Sequence, residues 1–167
     1  MFPFCPNHSI MVKQTTLCII KKEHQILLGM KKTGFGIGKY CGFGGKVEAG
    51  ESYRVAAVRE LQEESGLMTS PADLLAQGSI RYYFPAQPAW DLQLHLFTAG
   101  SWQGTPHESA EMRPCWFGLD QIPYSQMWDD ARYWFPVILE GKYIEAEITY
   151  DATNERVSSK QILVRDI

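Results

Sequence analysis

No uninterrupted apolar run reaches the roughly 18 residues that a membrane-crossing helix needs. An excess of positive charge is also missing: 16 Lys and Arg stand against 19 Asp and Glu, for a net charge of −3. That balance argues against a grip on duplex nucleic acid through bulk charge. Cysteine is sparse and irregularly spaced. Cys5, Cys18, Cys41 and Cys115 contain no CxxC pair, and the metal-like spacing of Cys5 and His8 has no second pair to complete it. Neither a disulfide framework nor a zinc site is expected. Reduced thiols and a cytoplasmic location are. Residues Met1–Met11 are broken by Pro3 and Pro6 and lack both a basic start and a small-residue cleavage site. They make a poor signal peptide. Residues 1–12 are therefore expected to be a loose extension, and residues 13–167 one domain with its own core. No repeat or low-complexity tract divides the chain. Aromatic residues are plentiful, with five Trp, eight Tyr and eight Phe; they suit either core or a surface that stacks a planar ligand.

The β-branched run Thr15–Ile20 reads as a strand, with Gln25–Met30 as its hairpin partner. A glycine-dense stretch follows from Gly34 to Gly45. Ser52 is a candidate N-cap for a helix that stops at Gly66. Short strands are expected at Ser79–Phe84, Leu92–Thr98 and Arg113–Phe117. A second helix is expected at Gln126–Leu139, bent or ended by Pro136. Tyr143–Tyr150 and Val157–Val164 read as two last strands. The pattern is an α/β domain with a mixed sheet and two principal helices.

The most informative segment is Arg59-Glu60-Leu61-Gln62-Glu63-Glu64-Ser65-Gly66-Leu67. On a helix Glu60, Glu63 and Glu64 share one face. Like charges at that spacing repel, and a hard cation with oxygen ligands offsets the repulsion. A solvated acidic face is the plain alternative. Val55, Val58 and Leu61 are expected to form the buried side, with Ala56 and Ala57 flanking the acidic face. Upstream, Gly45 is followed after five residues by Glu51, and Glu51 after seven by Arg59. The nine fixed positions from Gly45 to Leu67 resemble the Nudix box. That resemblance implies an α/β/α sandwich, a loop–helix–loop that binds divalent metal and a diphosphate, and Arg59 as the group that orients the acids. The stretch around Gly38-Lys39 is no Walker loop, since Tyr40 follows the lysine.

The likeness extends from about Thr16 to Pro136 and is similar to the animal MutT-type members of the family, which hydrolyse oxidised purine nucleoside triphosphates such as 8-oxo-dGTP. It is carried by Leu27–Lys32, Gly34–Gly36, Gly42–Val47, Glu111–Phe117, Leu119–Pro123, Met127-Trp128 and Tyr133–Pro136. It implies a Mg²⁺-dependent pyrophosphatase, with Mn²⁺ as a possible substitute. The metal set would be Glu60, Glu63, Glu64, Glu111 and the Gly44 carbonyl, with Glu64 the best candidate for taking or orienting the proton of water. Trp128 matches a base-stacking ring, and Lys31 and Phe35 match substrate-side positions. A lone Trp also suits a core, Lys31 a plain surface, and Glu111 an ordinary loop.

Tyr82 stands where the animal members have Phe, and Cys41 where they have Asn. Their paired aspartates leave only Asp130 here if the count to Tyr133 is ungapped, with Ala131 in the second place. A one-residue slip would instead keep both Asp129 and Asp130. The ungapped count leaves Asp130 a lone, partly solvated acceptor at the base edge. The partner expected is a small nucleotide, met by a monomer. Other nucleoside diphosphate compounds, or binding without catalysis, stay open at this level.

Overall fold

The computed structural model describes residues 11–167. Cys5, His8 and most of the expected N-terminal extension lie outside the described residues. The chain runs β1 Lys13–Lys22, β2 Gln25–Lys31, β3 Tyr40–Cys41, α1 Tyr53–Ser65, β4 Leu75–Tyr83, β5 Leu92–Ala99, β6 Met112–Gly118, α2 Ala131–Leu139, β7 Tyr143–Tyr150 and β8 Val157–Arg165. The eight strands form a mixed sheet in the order β3-β2-β1-β5-β4-β7-β8, with β6 on the other edge of β2. The β1–β5 and β4–β7 pairs are parallel and the others antiparallel.

Alternation along the strands separates two cores. Cys18 and Ile20 of β1, Leu27 of β2, and Phe97 and Ala99 of β5 face Ala57 and Leu61 of α1. Ile19, Ile26, Leu28, Ile80 and Leu96 face Trp134, Phe135 and Ile138 of α2. One helix on each face gives the α/β/α sandwich.

β1 and β2 pair only near their hairpin, at Ile20–Lys22 with Gln25–Leu27. Beyond it they part, and the glycine-bearing segment fills the gap along β1. Cys18 and Phe43 exchange backbone hydrogen bonds of 2.6 and 2.9 Å, and Thr16 N–H donates to Gly45 O at 2.9 Å. This seam fixes the loop that precedes α1.

Two elements differ from the sequence expectation. β4 starts at Leu75 instead of Ser79, because a bulge between Ala76 and Gly78 interrupts the alternation. The buried Gln77 side chain at that bulge donates to Ile138 O and Lys142 O, satisfying carbonyls at the end of α2. The second helix starts at Ala131; Tyr124–Gln126 is a separate 3₁₀ turn, and Trp128–Asp130 forms the entry to α2. Pro136 lies inside the helix, which continues to Leu139.

Candidate active site

The helix ends follow their local chemistry. Ser52 Oγ accepts from Val55 N–H at 3.2 Å, and Gly66 closes α1 at φ 77°. The buried face differs from expectation. Val55 is 46% exposed, whereas Ala56 and Ala57 are fully buried with Leu61, Glu64 and Ser65. Two alanines let the helix settle close to the sheet, and that rotation carries Glu64 inward toward the glycine loop.

The loop is glycine for steric reasons. A Cβ on Gly44 would lie 1.8 Å from Thr16 O, and one on Gly45 would lie 2.6 Å from the Glu60 carboxylate. Gly44 N–H donates to Glu64 Oε2 at 2.9 Å. Arg59 ties the acids together. Its Nε and Nη2 grip Glu51 at 2.6 and 3.0 Å, while Nη1 reaches Glu60 at 2.9 Å and Glu63 at 3.3 Å. Nη2 also donates to Lys46 O. Part of the repulsion on the acidic face is thus offset by this arginine. Its hydrogen bond holds the Glu51 carboxyl down to about 2. Burial, opposed by Arg59, raises Glu60.

Glu64 is the unusual acid. It is 1% exposed. Its second oxygen, Oε1, is buried without a hydrogen-bond partner among the described residues; Lys31 Nζ is 3.6 Å away. Burial pushes its carboxyl up to about 7, against the opposing pull of Lys31 and the Gly44 N–H. A folded-state value above the unfolded one means that this group costs stability as pH rises from about 4.5 to about 7. In EDTA at pH 8, Glu64→Gln should therefore be more stable than the parent, on the order of 1–3 kcal/mol. At pH 5 the gap should close. Chemical denaturation at the two pH values checks this, and a gap that ignores pH would count against it.

The donor set suits a hard cation: carboxylate oxygens, a backbone carbonyl and one orphaned buried oxygen, with no sulfur or imidazole among them. Among the described residues no three His, Cys, Asp or Glu side chains form a ready-made cage. Arg59 draws Glu60 and Glu63 toward itself, and Glu63 is largely exposed. Glu111, just before β6, is exposed, yet close enough to Glu60 and Glu64 to raise both. Mg²⁺ commonly takes one or two carboxylates and completes its shell with water and substrate phosphate, which fits an open cluster.

Beside the acids lies a cavity of about 280 Å³. Gly44, Gly45 and Thr16 line it, and so do all six expected substrate-side residues, Lys31, Phe35, Cys41, Tyr82, Trp128 and Asp130. Lys31 and Cys41 end β2 and β3, and Tyr82 comes from β4. Phe35 stacks on Trp128 with centroids 4.9 Å apart, and Trp90 meets Phe35 edge-on at 5.0 Å. Gly36, at φ 81°, passes so close that a Cβ would lie 2.9 Å from Trp128 Nε1. Lys39 sits over the Trp128 ring. Burial pushes the Cys41 thiol up to about 12, helped by Glu64, so it is a neutral, weak donor.

The NUDIX domain model matches residues 11–138. The chain belongs to the Nudix family. It is 49% identical over 127 residues to the "Oxidized purine nucleoside triphosphate hydrolase" of Mus musculus, covering 76% of this chain and 80% of that protein. It is 42% identical to the protein of the same name from Danio rerio, covering 93% and 97%. Among solved structures, the mutator MutT protein of Bacillus halodurans superposes with TM-score 0.76 at 23% identity, covering 90% of this chain and 97% of that one, and shares the Nudix fold.

At the far end of this Nudix cavity the expectation of a partly solvated Asp130 is corrected. Asp130 is 3% exposed. Tyr82 Oη and Trp134 Nε1 both donate to Oδ2 at 2.6 Å, and Tyr150 Oη donates to Oδ1. Asp129 turns away, accepting from Val157 N–H at 2.9 Å and pairing with Arg132 at 2.6 Å. Ala131 lines the cavity and Asp129 does not. Sequence reasoning missed Tyr150, Trp134, Phe84 and Met127, which also line the cavity. Tyr150 lies beyond Pro136, where the resemblance ends. Trp134 lies in the segment Tyr133–Pro136 that carries the likeness, and nothing in that segment marks its indole N–H.

Proposed function

We propose that the protein is a metal-dependent nucleotide pyrophosphatase that converts oxidised purine nucleoside triphosphates, such as 8-oxo-dGTP, to monophosphate and pyrophosphate. The observation that carries the reading is one cavity lined both by Gly44 and Gly45, the loop that holds Glu64, and by Trp128, Phe35 and Asp130. One end suits phosphate and cation, the other a flat polar ring. The names of the mouse and zebrafish relatives support the substrate class. Glu60, Glu63, Glu64, Glu111 and the Gly44 carbonyl would hold Mg²⁺ or Mn²⁺. When bound, the metal would neutralise phosphate charge and lower the pKa of its water.

In this reading Arg59 keeps Glu60 and Glu63 aimed along the loop, and Gly44 N–H fixes Glu64. Glu64 takes or orients the proton of the attacking water at Oε1, the oxygen without an internal partner. Lys31 places positive charge between that carboxylate and the cavity. Cys41 is a neutral wall where the two ends meet, and Asp130 with Tyr82 faces the base edge. A base that stacks on Trp128 takes the place of Phe35. The expected setting is a single-domain monomer in the cytoplasm. No helix among the described residues is long and apolar enough to cross a membrane.

Base stacking on an aromatic ring contributes roughly 1–3 kcal/mol. Trp128→Ala is expected to raise KM for nucleotides about 5- to 100-fold with a smaller loss in kcat. Unchanged kcat/KM in a folded variant would assign Trp128 to packing alone. The substrate class is tested by a panel of oxidised, unmodified and methylated triphosphates and dinucleoside polyphosphates with Mg²⁺. Highest kcat/KM on an oxidised purine supports the reading. Preference for any other member moves the substrate, and no cleavage of any would leave a binding module.

A further inference from the structure

We infer that Tyr82 and Tyr150 are specificity-determining positioning residues, which make the Asp130 end of the cavity a wall of hydrogen-bond acceptors that selects guanine-type over adenine-type bases. The inference rests on the nucleotide reading above and concerns this chain's own hydroxyls. Each tyrosine has one proton, and both are directed at the Asp130 carboxylate, as is the indole N–H of Trp134. All three hydrogens are spent on this carboxylate, which only accepts. Asp130 N–H is also used, donating to Tyr150 Oη at 3.3 Å. No proton remains in the group to offer a ligand.

Lone pairs do remain. Two neutral donors fill Oδ2, but among the described residues Oδ1 accepts from Tyr150 alone, which leaves a lone pair on that oxygen. Asp130, Tyr82 and Tyr150 all line the cavity, so these acceptors border the ligand space. The guanine edge brings two adjacent donors, N1–H and the 2-amino group. Adenine brings an acceptor at N1, which would face an acceptor and stay unsatisfied. A buried mismatch of that kind discriminates strongly.

The 8-oxo forms of the two bases share their imidazole side and differ only on the six-membered ring. Binding of 8-oxo-dGMP and 8-oxo-dAMP is therefore the direct readout. It is measured calorimetrically for the parent, Tyr82→Phe, Tyr150→Phe and the double variant. The parent should favour 8-oxo-dGMP by at least about tenfold. Removing both hydroxyls takes away the two donors that orient the Asp130 carboxylate and the hydroxyl lone pairs beside it, so the double variant should shrink the ratio about tenfold, and each single variant less. Should the double variant not fold, the two single variants decide. A parent ratio near one, failure of both nucleotides to bind, or parallel weakening at constant ratio would overturn the inference. A merely structural role predicts the last of these. If the ratio shifts but no triphosphate is cleaved, the inference stands and the hydrolase reading falls. If triphosphates are cleaved and the ratio does not move, the hydrolase reading survives alone.

Discussion

Glu64→Gln is expected to lower kcat by about 10²–10⁴ from loss of proton transfer alone, with weaker metal binding adding to the deficit. The substitution keeps the shape of the side chain. An amide oxygen can still accept from Gly44 N–H, now 2.9 Å from Oε2, so the glycine loop should hold. What disappears is the charge opposite Lys31 and the basicity of an acid already pushed up to about 7 by burial. A carboxylate of that basicity is well matched to accepting a proton near neutral pH. The variant should therefore fold and bind nucleotide but turn over slowly. Glu23→Gln, at an exposed hairpin turn away from the cavity, should leave kcat nearly unchanged. Steady-state kinetics at saturating Mg²⁺ makes the comparison. Retention of most of the activity by Glu64→Gln would move the proton-transfer role to another acid of the cluster.

The helix that carries these acids was legible because its signals are local. Ser52 and Gly66 mark its ends within one turn, and the spacing of Glu60, Glu63 and Glu64 puts them on adjoining positions in any α-helix. Its rotation against the sheet was not legible. Val55 looks like a core residue and Ala56 a spacer, yet Val55 is exposed and Ala56 buried. The difference comes from the glycine loop, whose close passage along β1 draws Glu64 inward. A long-range contact decided it, and helical periodicity does not contain that contact.

The same division runs through the rest of the fold. β1 could be read from its β-branched and apolar run Thr15–Ile20, and β7 from the alternation of Ile144, Ala146 and Ile148 with Glu145 and Glu147. β3, with two residues, has no pattern to read, and the bulge at Gly78 broke the alternation that would have extended β4. At the base end, Trp128 and Asp130 could be placed through the likeness to related sequences. The state of Asp130 could not. It depends on Tyr82 from β4, Tyr150 from β7 and Trp134 from α2, which meet only in the folded chain. A buried network of this kind is satisfied in three dimensions or not at all. No window of sequence around Asp130 reports it.

Cleavage at the glycine-loop end of the cavity, next to Glu64, should depend on a divalent cation. Among the described residues the buried Oε1 of Glu64 has no hydrogen-bond partner, and Glu60, Glu63 and Glu64 meet Arg59 and Lys31 as their ion-pair partners, which leaves charge for a divalent ion to balance. Phosphate oxygens approaching those acids would be repelled without one. Pyrophosphate release from 8-oxo-dGTP should therefore fall to background in excess EDTA and return when Mg²⁺ or Mn²⁺ exceeds the chelator. The rate should rise with free metal to a plateau. Equimolar monophosphate and pyrophosphate, formed only with divalent metal present, is the result this account predicts. Full turnover in EDTA, or release of orthophosphate in place of pyrophosphate, would contradict it.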